Sequence, residues 1–205
     1  MAEPETSNSA IGSSCAAESV DESLVRLAQQ GDSAAFSLLV ERYKAPLYNY
    51  LLRMTGQRAD ADDLFQETFL RVYRHIDRYS GVASFRTWLY RIATNCCHDH
   101  WRSWRRRLKT FAFGLDETPA IAAMAKSSLP DPRQAASSSE TAERLADAVE
   151  KLPAGHRAVF LMARYHDMSY REIADALEIP EGTVKSRMNK AVHQLVRDLH
   201  LEKEG

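Results

Sequence analysis

Apolar residues recur at helical spacing almost without interruption from Glu22 to Leu108, and again from about Ala142 to Leu201. No segment alternates with the period of two that a strand requires, and no internal repeat is present. Between the blocks the composition shifts to Ala, Ser and Pro, as in Leu129-Pro130-Asp131-Pro132 and Ser137-Ser138-Ser139, which reads as a linker. These features confine the chain to an all-α class, two small helical domains joined by a flexible linker. The expected boundaries are a flexible acidic tail over 1–20, a first domain over 21–108, a linker over 109–141 and a second domain over 142–205.

With 44% hydrophobic and 27% charged residues, the composition suits folded domains with real cores. The net charge of -1 conceals an uneven distribution. Met1 to Val25 holds five acids and no Lys or Arg, whereas Trp101 to Lys109 holds five basic residues and no acid. A local basic cluster of this kind is what a nucleic-acid partner requires, whatever the total charge. No basic leader precedes an apolar run, and no stretch approaches the roughly 18 apolar residues of a membrane span, so a cytoplasmic protein without membrane insertion is expected. Cys15, Cys96 and Cys97 form an odd set that makes no secreted disulfide framework and points to a reducing compartment.

In the second block, Ser169-Tyr170-Arg171-Glu172 has the spacing of a capping box, so a helix should begin there. Ile173, Ala174 and Leu177 give it one apolar face, Glu178-Ile179-Pro180 interrupts it, and Val184, Met188, Ala191, Leu195 and Leu199 continue on a second helix. Two short helices joined by a tight turn form the helix-turn-helix used to enter the DNA major groove. The outer face of the second helix carries Thr183, Ser186, Asn189, Lys190, His193 and Arg197, rich in donors and free of acids. Any amphipathic helix has a solvated outer face, so this pattern alone only leans toward DNA.

In the first block, a helix over Asp62–Ile76 would bury Phe65, Phe69, Val72 and Ile76, leaving Asp63, Gln66, Glu67 and Arg74 opposite with Leu70 among them. A leucine within a polar face is a candidate protein contact, although single exposed leucines are ordinary. A following helix from Ser84 to about Trp104 would bury Phe85, Leu89, Ile92 and Cys96. Its far face would carry Thr87, Arg91, Thr94, His98, Trp101, Arg102 and Arg105. Cations interleaved with a flat ring suit a phosphate backbone and unstacked bases, against the plainer alternative of a basic helix end favoured by the dipole. Cys96 and His100 have an i, i+4 spacing, but no second ligand pair completes a site, and Asp62, Asp63 and Glu67 lack a converging partner. No metal and no cofactor is expected, and Cys96 reads as a small buried hydrophobe.

Ala61-Asp62-Asp63-Leu64-Phe65-Gln66-Glu67-Thr68-Phe69-Leu70-Arg71-Val72-Tyr73-Arg74 and Ser84-Phe85-Arg86-Thr87-Trp88-Leu89-Tyr90-Arg91-Ile92-Ala93-Thr94-Asn95 resemble the N-terminal domain of extracytoplasmic-function (ECF, group 4) sigma factors of the sigma-70 family. Leu152-Pro153, Arg157-Ala158-Val159-Phe160-Leu161, Ser169 to Ala174 and Pro180-Glu181-Gly182-Thr183-Val184-Lys185-Ser186-Arg187-Met188 resemble their C-terminal promoter-reading domain. The resemblance covers most of the chain and includes the order of the two domains.

It implies a transcription initiation factor, not an enzyme, that binds core RNA polymerase at the clamp coiled coil of the largest subunit and at the flap region. Clamp contact is carried onto Asp63, Gln66, Glu67 and Leu70. The segment Tyr79 to Ser84, with Ser80 inside it, would capture a base flipped from the minus-ten element. Arg91, Asn95, His98, Trp101, Arg102 and Arg105 would hold the non-template strand. Thr183, Lys185, Ser186, Arg187, Asn189 and Lys190 would read the minus-thirty-five element, with phosphate contact suiting Lys185 and Arg187 at least as well as base readout. A linker of about 30 residues spans on the order of 30 Å and would let two modules grip separate DNA elements.

The resemblance also implies control by an anti-sigma factor, which could hold the protein at the inner membrane. Asp167 and Glu178 stand where the family often has glycine, and Ala191-Val192-His193 replaces a more basic run. Two rivals remain from the residues themselves. A stand-alone helix-turn-helix regulator would need neither the docking motif nor the basic aromatic helix, and a metal enzyme would need ligands that do not converge.

Overall fold

A computed structural model describes residues 20–112 and 139–201, and the regular elements among them are helical. Cys15, the expected tail as far as residue 19 and most of the expected linker lie outside the described residues, and residue 20 already belongs to a helix. The first half comprises α1 (20–29), α2 (Ser33–Thr55), α3 (Arg58–His75), a 3-10 turn (Ile76–Arg78) and α4 (Phe85–Ala112). The second comprises α5 (Ser139–Glu150), α6 (Ala154–Tyr165), α7 (Tyr170–Leu177) and α8 (Glu181–Leu201).

Local chemistry explains most of the boundaries. The Asp32 carboxylate accepts from the Ala34 and Ala35 amides at 2.8 and 3.1 Å and so starts α2. Gly56, at φ 73°, ends the helix by returning its N–H to the Leu52 carbonyl. α3 begins a turn before the expected Asp62, because nothing breaks the helix between Arg58 and Ala61, and it tightens into the 3-10 turn at Ile76. α4 starts where the Ser84 hydroxyl accepts from the Thr87 amide at 3.2 Å. It runs beyond the expected end at Trp104, the next glycine being Gly114.

In the first half, Leu39, Tyr43, Leu47, Tyr50, Leu51 and Met54 of α2 pack against Leu64, Phe69 and Val72 of α3 and Phe85, Leu89, Ala93 and Cys96 of α4. Edge-on rings lock the layers, Tyr43 to Phe85 at 5.5 Å and Tyr50 to Tyr90 at 5.1 Å between centroids. In the second half α6 is the central helix. Five consecutive residues, Ala158 to Met162, are buried, which happens only when a helix is covered on all sides. Buried residues of both halves form one contiguous cluster, with α5 and α6 against α2 and α7 against α4.

Asp167 and Glu178 adopt left-handed backbone at φ 47° and 53°, a conformation that favours glycine. Asp167→Gly should raise unfolding stability by about 0.5 kcal/mol, seen as a higher urea midpoint. Glu178→Gly should gain less, because it also removes the carboxylate that faces Arg91.

Candidate polymerase and nucleic-acid interfaces

On α3, Asp63 and Gln66 are exposed, and Leu70 is 49% exposed on the same side, opposite the buried Ala61, Leu64, Thr68 and Val72. The expected core residue Phe65 is only partly buried; Leu64 and Thr68 take the deeper positions. Glu67 is oriented by Arg71, whose Nε lies 2.7 Å from it and whose Nη1 reaches Asp99 of α4 at 3.0 Å. The face therefore rests on a cross-helix ion chain. Tyr73, 63% exposed one turn beyond Leu70 and edge-on to Phe36 at 5.1 Å, extends the apolar part of this face. Its i+3 spacing from Leu70 was the available clue.

The segment after the 3-10 turn is pinned at both ends. Tyr79 donates its hydroxyl proton to the Ala83 carbonyl at 2.6 Å, and its ring lies 5.2 Å from Trp88 and 6.1 Å from Phe85. Ser80 is exposed, and the Ser84 hydroxyl is engaged with Thr87 as the start of α4. Gln29 of α1, which the sequence pattern did not single out, donates to the Ile76 and Tyr79 carbonyls at 2.8 and 2.9 Å. A polar residue near the end of a short helix gives no sign in sequence of a partner some fifty positions away.

Along α4, Asn95, His98 and Arg102 are exposed and Trp101 is half-buried, with the His98 and Trp101 rings 6.0 Å apart. Partial desolvation by its neighbours and the Arg102 charge push the His98 imidazole below its ordinary range. The Arg105 side chain lies outside the described residues. Cys96 and Cys97 are both buried, and burial raises both thiols. His100 Nε2 faces Asp60 at 3.4 Å, and among the described residues no three metal-ligating side chains converge.

The second half forms the helix-turn-helix. Ser169 accepts from the Glu172 amide at 3.2 Å while the Glu172 carboxylate accepts from the Ser169 amide at 2.8 Å, the reciprocal capping box. Glu178 closes α7 in left-handed backbone, and the Ile179 N–H returns to the Ala174 carbonyl at 3.1 Å. Val184, Ala191 and Leu195 of α8 are buried, with Met188 and Leu199 partly so. Lys185, Ser186, Asn189 and Lys190 are exposed, whereas Thr183 and Arg187 are half-buried. Arg187 rests against α6, its Nη1 only 3.1 Å from where a Cβ on Gly155 would stand.

The Sigma-70 region 2 family profile matches residues 39–107, and the Sigma-70, region 4 profile matches residues 142–195. Among named relatives, the ECF RNA polymerase sigma factor SigW of Bacillus subtilis is 34% identical over 184 residues, 85% of this chain and 96% of that one. SigL of Mycobacterium tuberculosis is 37% identical over 171 residues, 82% and 90%. This chain belongs to the ECF sigma factors. CnrH, solved with the cytosolic domain of CnrY, shares the fold at TM-score 0.65 and 24% identity, covering 89% of this chain and 98% of that one. RpoE of Bartonella quintana, solved with the anti-sigma factor NepR, does so at 0.67 and 19%, covering 80% and 96%. As a sigma factor the protein directs RNA polymerase to promoters, and the stand-alone regulator reading is set aside because region 2 is present beside region 4.

In this sigma factor the two regions meet across α4, and neighbours on more than one side of that helix correct the helical-wheel reading. Thr87 and Thr94, expected on the nucleic-acid face, are each 2% exposed. Thr94 bonds the Tyr50 hydroxyl at 2.7 Å, and the adjoining side of α4 is covered by α7. A wheel drawn for one helix cannot reveal a second neighbour. Arg86 donates to Glu172 at 2.6 Å, so the capping glutamate also joins the regions, and Arg91 pairs with Glu178. The Tyr90 hydroxyl meets His166 Nδ1 at 2.8 Å, and Arg157 donates to the Met54 carbonyl at 2.7 Å. No helix among the described residues is long and apolar enough to cross a membrane.

Burial, reinforced by the Arg86 and Arg53 charges, lowers the His166 imidazole from 6.5 to about 4. Between those values the unfolded or opened chain binds a proton that the buried ring refuses, so stability is complete above 6.5 and falls as pH drops toward 4. Melting temperatures at about pH 7.5 and about pH 5 should show this loss in the wild type and a smaller one in His166→Phe.

Proposed function

We propose that this sigma factor docks on the clamp coiled coil of the RNA polymerase largest subunit through Asp63, Gln66, Glu67 and Leu70, and places its second domain at the flap region. The loop from Tyr79 to Ser84, including Ser80, receives a base flipped from the minus-ten element. Arg91, Asn95, His98, Trp101, Arg102 and Arg105 track the non-template strand. Thr183, Lys185, Ser186, Arg187, Asn189 and Lys190 face the minus-thirty-five element in the major groove. The observation that carries this reading is that one chain presents two exposed faces of different chemistry, an acidic and apolar one on α3 and a donor-rich, acid-free one on α8. Protein docking suits the first and DNA the second.

The contact between the regions bears on promoter engagement. Arg91 is held by Glu178 and Arg86 by Glu172, so strand binding exchanges at least the Arg91 carboxylate partner for a phosphate. An anti-sigma partner, of the kind bound to Bartonella quintana RpoE, would cover these faces and hold the protein in the cytoplasm or at the inner membrane. Promoter-dependent RNA synthesis by purified core polymerase, with and without the protein over a library of promoter fragments, tests the reading. Specific starts only with the protein support it; DNA binding without polymerase recruitment would overturn it.

Two substitutions sets resolve the faces. Asp63→Ala or Leu70→Ala should weaken core-polymerase binding by about tenfold, while Arg74→Ala, at the margin of the face, should change it little; equal losses from all three folded variants would reject the face. Arg187→Ala should lower promoter affinity. A salt slope reduced by about one marks a phosphate contact, whereas relaxed preference at a single base pair marks base readout.

A further inference from the structure

The loop proposed to receive the flipped base has ends of unequal origin. Its far end is local: Ser84 caps α4, and the Tyr79 hydroxyl donates to the Ala83 carbonyl within the same loop. The tip is unsupported, with Gly81 at φ 74° facing open space and Val82 93% exposed. The near end is held from outside the loop. Both amide protons of Gln29 are donated to carbonyls at the two edges of the 3-10 turn, Ile76 at 2.8 Å and Tyr79 at 2.9 Å. Because carbonyls only accept, the nitrogen of this side chain must face the turn, and its orientation is set by chemistry. The Ile76 carbonyl also accepts the Tyr79 N–H at 3.2 Å, so the same few atoms define where Tyr79 leaves the turn.

Gln29 is not what attaches α1 to the domain. That attachment comes from buried Val25 and from buried Asp21, which receives the Tyr43 hydroxyl and lies 2.8 Å from Arg42 Nε. Gln29 itself is exposed. Its bonds therefore fix little of the core but do fix the backbone of Tyr79, whose ring lies tilted against Trp88 at the mouth of the loop. Extruding a base costs a few kcal/mol, which a receptor recovers only if its walls are already in place.

We propose that Gln29 is a positioning residue for base capture, holding the mouth of the loop formed by residues 79–84 through the Ile76 and Tyr79 carbonyls. The inference rests on the reading of that loop as the capture segment. Gln29→Met keeps the length and removes both donors. Gln29→Glu keeps the shape and sets a carboxylate against two carbonyl oxygens, so it should be the more damaging.

The test uses holoenzyme assembled from core polymerase and the full chain, on forked promoter DNA bearing the motif the wild type selects. 2-Aminopurine is placed in turn at each non-template position of the minus-ten element. The wild type should show a fluorescence rise at one position. Gln29→Met should weaken fork binding by about tenfold, because the mouth of the loop must then be ordered as the base enters, and lose base preference at that position alone. Its melting temperature and core-polymerase affinity should match the wild type. If the methionine variant unfolds, Gln29→Asn, which keeps a polar amide one methylene short, carries the same expectation. Wild-type behaviour in a folded variant would overturn the proposal, as would equal weakening at every position with a lowered melting temperature. No rise at any position with the wild-type holoenzyme would overturn the base-capture reading itself, and the inference with it.

Discussion

Much of this structure depends on α4 being packed on more than one side. Its Phe85, Leu89 and Cys96 enter the region 2 core, Thr94 meets Tyr50 of α2, and Tyr90 meets the imidazole of His166 from the region 4 side. A helix so enclosed has little surface to spare, and the strip that remains carries Asn95, His98 and Arg102. The position of that strip is thus decided by what covers the rest of the helix. Removing His166 from water disfavours its charged form, so the junction is neutral at its centre, and the arginines Arg86 and Arg91 are met by carboxylates around it.

The region 4 half shows how one residue can serve two levels of structure. Glu172 completes the capping box that begins α7, and the same carboxylate receives Arg86 from region 2. Burial alone would raise its carboxyl; the bonds from Ser169 and Arg86 outweigh burial and keep it below the ordinary range. Glu178 repeats the arrangement at the other end of α7, closing the helix in left-handed backbone while facing Arg91. The acids that flank the helix-turn-helix occupy cations that a nucleic-acid backbone would also seek, whereas the outer face of α8 keeps its Lys185, Ser186, Asn189 and Lys190 exposed. Charge is therefore sorted by face, which a net value of -1 does not convey.

Local signals were legible in the amino-acid sequence because they act over a few residues. The Ser169 to Glu172 spacing, the interruption at Glu178-Ile179-Pro180 and the apolar period through Val184, Ala191 and Leu195 each specify a piece of backbone with no help from distant residues. The same holds for the exposed side of α3, where one buried stripe leaves Asp63, Gln66 and Leu70 outside. Together these determined the all-helical class and the helix-turn-helix, while the family came from the resemblance of whole motifs. Only the tertiary structure decided that Thr87 and Thr94 are buried, that Gln29 reaches the Tyr79 carbonyl, and that Arg86 and Arg91 end on carboxylates of the other region. The physical reason is that periodicity reports whether a helix has a buried side, whereas the number and identity of its neighbours depend on contacts between residues tens of positions apart, which no local pattern encodes.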